Sequence, residues 1–128
     1  MSAGQFLQWQ WSGYSAAHQT KTNLLFHILT VPLFIVATVL ALYALVRLSS
    51  FALLVSVPCF ILSLILQKRG HKLEPVQPEP FKNGFDFVCR IFAEQWITFP
   101  RFVVTGGWLK SMSQPCLQKN GISPAGTR

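Results

Sequence analysis

Three histidines are all this 128-residue chain contains, and their spacing is the feature most able to do chemistry. His18 and His27 bracket Asn23 at the start of a long apolar run, and His71 follows a second apolar run with Glu74 three residues on. Imidazoles joined by a carboxylate, with coordination positions left open, suit a non-haem Fe(II) centre that binds dioxygen. Zinc takes the same ligands. The residues by themselves leave that choice open.

A shared centre makes a structural demand on the chain. Asn23 and His27 are four apart and fall on one helical face. His18 precedes His27 by nine residues, which turns it about half-way round a helical wheel. One straight helix cannot aim both imidazoles at one ion, so the chain must break between Ser15 and Thr22 or fold a preceding helix back. Asn23 then reads as the hydrogen-bond partner that orients an imidazole, or as a cap for the helix that follows. His71 and Glu74 share one side of a helical turn.

The elements that must position these groups are dominated by two uncharged stretches. Leu24–Val46 has no Asp, Glu, Lys or Arg and is long enough to cross a bilayer core, which needs about 20 residues. Pro32 either kinks this helix or ends one helix and begins another. Arg47-Leu48-Ser49-Ser50 reads as a tight turn, and Phe51–Leu66 is a second uncharged run with Pro58 inside it. The expected fold is all-α: a membrane helical hairpin with helices at about 24–46 and 51–67. Residues 1–110 read as a single membrane domain.

Beyond the hairpin, Glu74–Phe81 carries three prolines and reads as an extended connector. From Phe85 to Thr98, Phe85, Val88, Cys89, Phe92 and Trp96 recur at three- and four-residue steps. That spacing predicts an amphipathic interfacial helix over 85–98, ended by Pro100. Asp86, Arg90 and Glu94 step by four along its other side, so Glu94 is expected to pair with Arg90. The four tryptophans and Tyr14 fit an interfacial aromatic belt, without chemistry of their own. From Ser111 onward the composition turns polar and reads as a disordered tail.

Composition narrows the function classes. Charged residues make up 12%, about half the share of roughly 25% usual in soluble domains. The net charge of +7 comes from eleven Lys and Arg against four Asp and Glu. Most of the basic residues flank apolar segments, and no nucleic-acid-binding motif is present, so a lipid surface is the expected partner. Lys21, Lys68, Arg69 and Lys72 lie on the terminal side of the hairpin, against Arg47 alone in the turn. This predicts a multi-pass protein with both termini, and the histidines, on the cytoplasmic side. Cys59, Cys89 and Cys116 form no metal-ligand pair or disulfide framework. No GxSxG, Walker or GxGxxG motif occurs.

Two motifs carry a family resemblance. Tyr14-x3-His18-x4-Asn23-x3-His27, followed by Val31-Pro32, and Gly70-His71-Lys72-Leu73-Glu74 after the second apolar segment resemble the signatures of the small membrane proteins related to the yeast 2-hydroxy-fatty-acid dioxygenase. The resemblance covers roughly residues 9–108 and rests on both motifs standing in that order. It implies an Fe(II)-dependent dioxygenase that shortens a 2-hydroxy fatty acid by one carbon (α-oxidation). His18, His27 and His71 would be iron ligands, Glu74 a fourth candidate and Asn23 a supporting residue. The substrate's 2-hydroxyl and carboxylate could chelate iron while its acyl chain lies along the hairpin. Charge alone suggests Lys68, Arg69 or Lys72 for holding the carboxylate.

The competing reading is a non-catalytic membrane scaffold or lipid-binding protein whose histidines merely hydrogen-bond. The two readings part on geometry: the enzyme needs His18, His27 and His71 within shared coordination distance, and the scaffold does not.

Overall fold

The computed structural model describes residues 1–114, and among these every regular element is helical. Helix α1 (Ala3–Ser12) starts at a capping box, in which Ser2 Oγ accepts from the Gln5 amide and the Gln5 side chain accepts from the Ser2 amide. A single 3-10 turn (Ser15–Ala17) follows, and His18 leaves helical geometry at φ −135°, ψ 67°. The break demanded between His18 and His27 therefore falls just after His18.

Helix α2 (Lys21–Arg47) and helix α3 (Ser50–Lys72) form the hairpin. Both run past their apolar stretches, so α3 is longer than the expected 51–67 and carries His71 within its last turn. Neither proline ends a helix: α2 is continuous through Pro32, and α3 through Pro58. Each ring removes one backbone donor while the neighbouring turns hold the ladder. Leu48 makes the turn in left-handed geometry (φ 50°), its amide closing on the Ala44 carbonyl, and Ser49 Oγ caps α3 at the Ala52 amide. Small buried side chains (Ala37, Ala44, Ala52, Ser56, Ser63) let the two backbones approach. Across that seam Ser63 Oγ donates to the Thr30 carbonyl at 2.7 Å.

Residues 74–83 form no helix. Helix α4 (Gly84–Ala93) starts at Asn83, whose side chain caps the Asp86 amide. The helix does not stop at Pro100. It widens into a π turn over Glu94–Thr98, where the Phe99 amide bonds to the Glu94 carbonyl, and continues as α5 (Phe99–Val104) with Pro100 in its first turn. In an unbroken α-helix the Pro100 ring would meet the Trp96 carbonyl; the wider turn relieves that clash and re-aims the side chains around it. Gly106, at φ 84°, then turns the chain into α6 (Gly107–Ser113). The first residues of the expected polar tail, Ser111–Ser113, are thus helical, Gln114 is extended, and residues 115–128 lie outside the described residues.

The burial pattern is inverted relative to a water-soluble globule. Among the described residues, buried polar side chains outnumber buried apolar ones, eleven to ten, while Phe, Leu, Ile and Val side chains all along α2 and α3 are exposed. Helix α4 repeats the inversion: Phe85, Val88, Phe92 and the following Trp96 face outward, while Arg90 is buried. Both α2 and α3 are long and apolar enough to cross a membrane.

Candidate metal centre

Helices α2 and α3, the turn before α2 and the π turn each deliver one side chain to a common point. His18 comes from the break after the 3-10 turn, His27 from the second turn of α2, His71 from the end of α3 and Glu94 from the start of the π turn. One ligand atom of each lies within 4.8 Å of all the others. Glu94 Oε1 is 3.5 Å from His18 Nε2, 3.4 Å from His27 Nε2 and 4.0 Å from His71 Nε2. The three rings pack edge to face, with centroids 4.7–4.8 Å apart.

Tautomers are fixed from outside the cluster. His18 Nδ1 lies 2.8 Å from the Tyr14 carbonyl, and His27 Nδ1 lies 3.0 Å from the Asn23 carbonyl. A carbonyl only accepts, so each Nδ1 carries the proton and each neutral ring presents a bare Nε2. Those two Nε2 atoms face each other at 3.3 Å. With Glu94 beside them, the centre is a convergence of lone pairs with no donor of its own between the two rings. A first-row divalent ion with ligands at about 2.1 Å in tetrahedral array separates them by about 3.4 Å. The His18–His27 and Glu94 spacings of 3.3–4.0 Å lie near that value, and all four donors fall within 4.8 Å of one another.

Burial and charge oppose each other at His18 and at Glu94. His18 is driven below the ordinary imidazole range by burial, against the pull of Glu94, and so stays neutral. Burial alone would raise Glu94; the carboxyl is held well below its usual range only in the form in which the His18 and His27 Nε2 atoms carry protons and donate to it. Tyr14 supports both groups. Its ring stacks on His18 at 3.9 Å and its hydroxyl donates to Glu94 Oε1 at 3.1 Å. Burial first, then the Glu94 charge, raises the phenol well above 10. Tyr14 is buried against Phe102, not displayed in an aromatic belt.

The sequence expectation misplaced the acid. Glu94 does not pair with Arg90. Arg90 meets Asp86 at 3.5 Å, donates to the carbonyls of Glu79 and Pro80, and lies over the Phe81 ring, which draws it away from the start of the π turn. Glu74 stands outside the cluster because α3 ends at Lys72 and the chain turns before reaching it. Its Oε1 instead accepts from the Gln19 and Thr20 amides, Thr20 Oγ1 and Asn23 Nδ2 at 2.8–3.1 Å. A carboxylate there satisfies amides at the start of α2 and meets the positive end of its dipole. Asn23 therefore orients His27 through its main-chain carbonyl, while its side chain joins Glu74 to the Ala17 carbonyl. Thr20, not Asn23, occupies the cap position of α2.

Gly70 completes the second motif for a steric reason. A Cβ at this position would run into the Asn23 side chain and lie 3.2 Å from the Asn23 Cα. The π turn is tied to α3 by a reciprocal amide pair. Gln67 donates to Gln95 Oε1 at 3.0 Å, and Gln95 donates back to Gln67 Oε1 at 2.7 Å, both side chains being buried. That pair fixes where Glu94 points.

A cleft of about 660 Å³ opens onto the centre through Tyr14, His18, His71 and Glu94. Lys68 and Lys72, one helical turn apart, line it. Arg69 does not, since one residue of helix rotates it by about 100° off that face. Leu64, Ile65, Phe87 and Ile91 supply apolar walls, and the size suits a small-molecule site.

Fold and site together define an all-helical protein with a three-histidine, one-carboxylate centre at the head of an apolar hairpin. The chain belongs to the Mpo1-like family: the model of that family, described as 2-hydroxy-palmitic acid dioxygenase Mpo1-like, matches residues 5–100. The match takes in all four residues of the cluster and both motifs. No curated protein and no solved structure matches the chain.

Proposed function

We propose that this protein is a membrane-embedded, Fe(II)-dependent dioxygenase that shortens 2-hydroxy fatty acids, or closely related lipids, by one carbon. The observation that carries the reading is the set of bare Nε2 atoms of His18 and His27, converging with His71 and Glu94 at the mouth of an apolar cleft. Family membership supplies the substrate class and the reaction.

His18, His27, His71 and Glu94 would hold the ion, which supplies the binding and activation of dioxygen. The protein's own groups do the rest. Tyr14 and the main-chain carbonyls of Tyr14 and Asn23 keep the ligands aimed before substrate arrives, so little reorganisation remains to be done. Lys68 and Lys72 draw the substrate carboxylate to the His71 side of the cleft. The apolar walls take the acyl chain and keep water from the reacting carbons. In the overall change the C1–C2 bond breaks. The 2-hydroxy acid and one dioxygen give the acid one carbon shorter, carbon dioxide and water, dioxygen taking up the four electrons released.

The two apolar helices would span the bilayer, with the basic residues beside Lys21 and Lys72 at its cytoplasmic face. The reaction is tested by oxygen uptake in detergent-purified protein loaded anaerobically with Fe(II). The expected result is uptake with a 2-hydroxy acid and none with the unsubstituted acid of the same length. Equal rates with both acids, or none with either, would reject the reaction.

A further inference from the structure

Phe81 and Phe87 both line the cleft, and we propose that this aromatic pair closes its far end and sets the longest acyl chain the protein accepts. The inference rests on the acyl-substrate reading above and adds a residue-level account of length selection.

The cleft has two helical walls. Glu94, Ile91 and Phe87 follow one another at steps of three and four along α4, and His71, Lys68 and Leu64 do the same along α3. Each series covers two turns, about 10 Å at 1.5 Å per residue. The charged groups at the metal end are Lys68 and Lys72, so a carboxylate is held there and the chain is directed away from it. Arg90 and Glu79 also line the cleft at its other end, but the Arg90 guanidinium is engaged by Asp86 and the Glu79 and Pro80 carbonyls. The occupant that fits is therefore a single acyl chain whose acid group meets the lysines and whose tail runs between Leu64, Ile65, Phe87 and Ile91.

The connector contributes Glu79 and Phe81 to the lining away from the lysines. Phe81 meets Phe87 edge to face, with centroids 4.9 Å apart. Arg90 stacks on the Phe81 ring at 4.4 Å and holds the two preceding carbonyls, Glu79 at 2.7 Å and Pro80 at 3.1 Å. Nearer the centre, Gln77 Nε2 donates to the carbonyls of His71 and Glu74, both at 2.8 Å. With three prolines between these anchors, the connector is a stiff wall, and Phe81 cannot swing aside without breaking the Arg90 contacts.

The test measures binding and needs no turnover. The full chain in lipid nanodiscs, without metal, is titrated with straight-chain 2-hydroxy acids of increasing length against a fixed fluorescent fatty acid. An added methylene gains little relative to the bilayer, so the reading is the length at which affinity falls. Phe81→Ala and Phe87→Ala are expected to move that limit to longer acids, relieving roughly tenfold discrimination at the first excluded length. Ile91→Trp, which fills the middle of the cleft, is expected to move it to shorter ones, and Phe85→Ala, on the outward face, to leave it unchanged. An unmoved limit in both Phe81→Ala and Phe87→Ala, or failure of the 2-hydroxy acids to displace the probe from the native protein, would overturn the assignment. Oxygen uptake is measured separately: its absence with the length limit intact counts against the reaction and not against the aromatic stop.

Discussion

His18 and His27, nine residues apart in sequence, face each other through their Nε2 atoms at 3.3 Å, each with its Nδ1 tied to a main-chain carbonyl. Two bare nitrogens at that distance repel unless a cation lies between them. The arrangement is built at some cost: a helix is broken after His18, and four polar side chains are gathered beneath an otherwise apolar hairpin. A metal ion held by His18, His27, His71 and Glu94 would account for all of it.

The two acids of the site should separate cleanly. Glu94→Gln removes a ligand and is expected to abolish stoichiometric metal binding. Glu74→Gln leaves the cluster intact but weakens the hold on the Gln19 and Thr20 amides, costing about 1–3 kcal/mol of stability. Metal analysis beside thermal unfolding of both variants checks this. Retained metal in Glu94→Gln together with loss in Glu74→Gln would reverse the assignment.

Gly70→Ala should be disruptive far beyond the loss of one helix glycine. The new methyl meets the Asn23 side chain, and the nearness of the Asn23 Cα means that backbone as well as side chain must move. A cost of about 1–3 kcal/mol is expected, with weaker metal binding because the Asn23 carbonyl orients His27. A variant with native melting temperature and native metal affinity would show that the close approach has no consequence.

Acid should release the metal, and only below the ordinary imidazole range. Burial lowers His18, so protons compete poorly for it at neutral pH, and Glu94 remains anionic well below its usual range. Retention measured by equilibrium dialysis between about pH 5 and 8 should hold at the upper end and fall only beneath about 6.5. Loss beginning above neutrality would contradict the neutral, pre-aimed imidazole.

Topology can be read by labelling. Leu48 is exposed in the turn between α2 and α3, and Lys82 is exposed on the connector. In a background without the native cysteines, Leu48→Cys should react with an impermeant maleimide in intact cells, and Lys82→Cys only after permeabilisation. The opposite pattern would place the site on the outer face.

Much of this was legible in the sequence. The hairpin announces itself because a bilayer-length uncharged run has few other uses, and the three histidines sit where such a hairpin brings both ends together. That the chain breaks between Ser15 and Thr22, or folds a preceding helix back, followed from helical rotation once His18 and His27 were taken to share a centre. Glu94 was hidden by its register: Asp86, Arg90 and Glu94 step as in a regular helix, and what separates the last pair is that Arg90 is drawn to Asp86 and the connector carbonyls. The signal that could have exposed it is Glu94-Gln95 itself, two adjacent polar residues in an apolar stretch, both turned inward. Glu74 misled because sequence proximity to His71 ignores the end of α3 between them. Tyr14 passed as an interfacial aromatic since its composition is the same in either role; only contact with His18 and Glu94 distinguishes it.

The most direct test is metal content of protein purified in detergent without air, beside His71→Ala. The account predicts iron at about one per chain in the native protein and its loss in the variant. Zinc at that level would move the chemistry to hydrolysis. No metal in the native protein after anaerobic iron loading would contradict the centre itself and leave a lipid-binding hairpin.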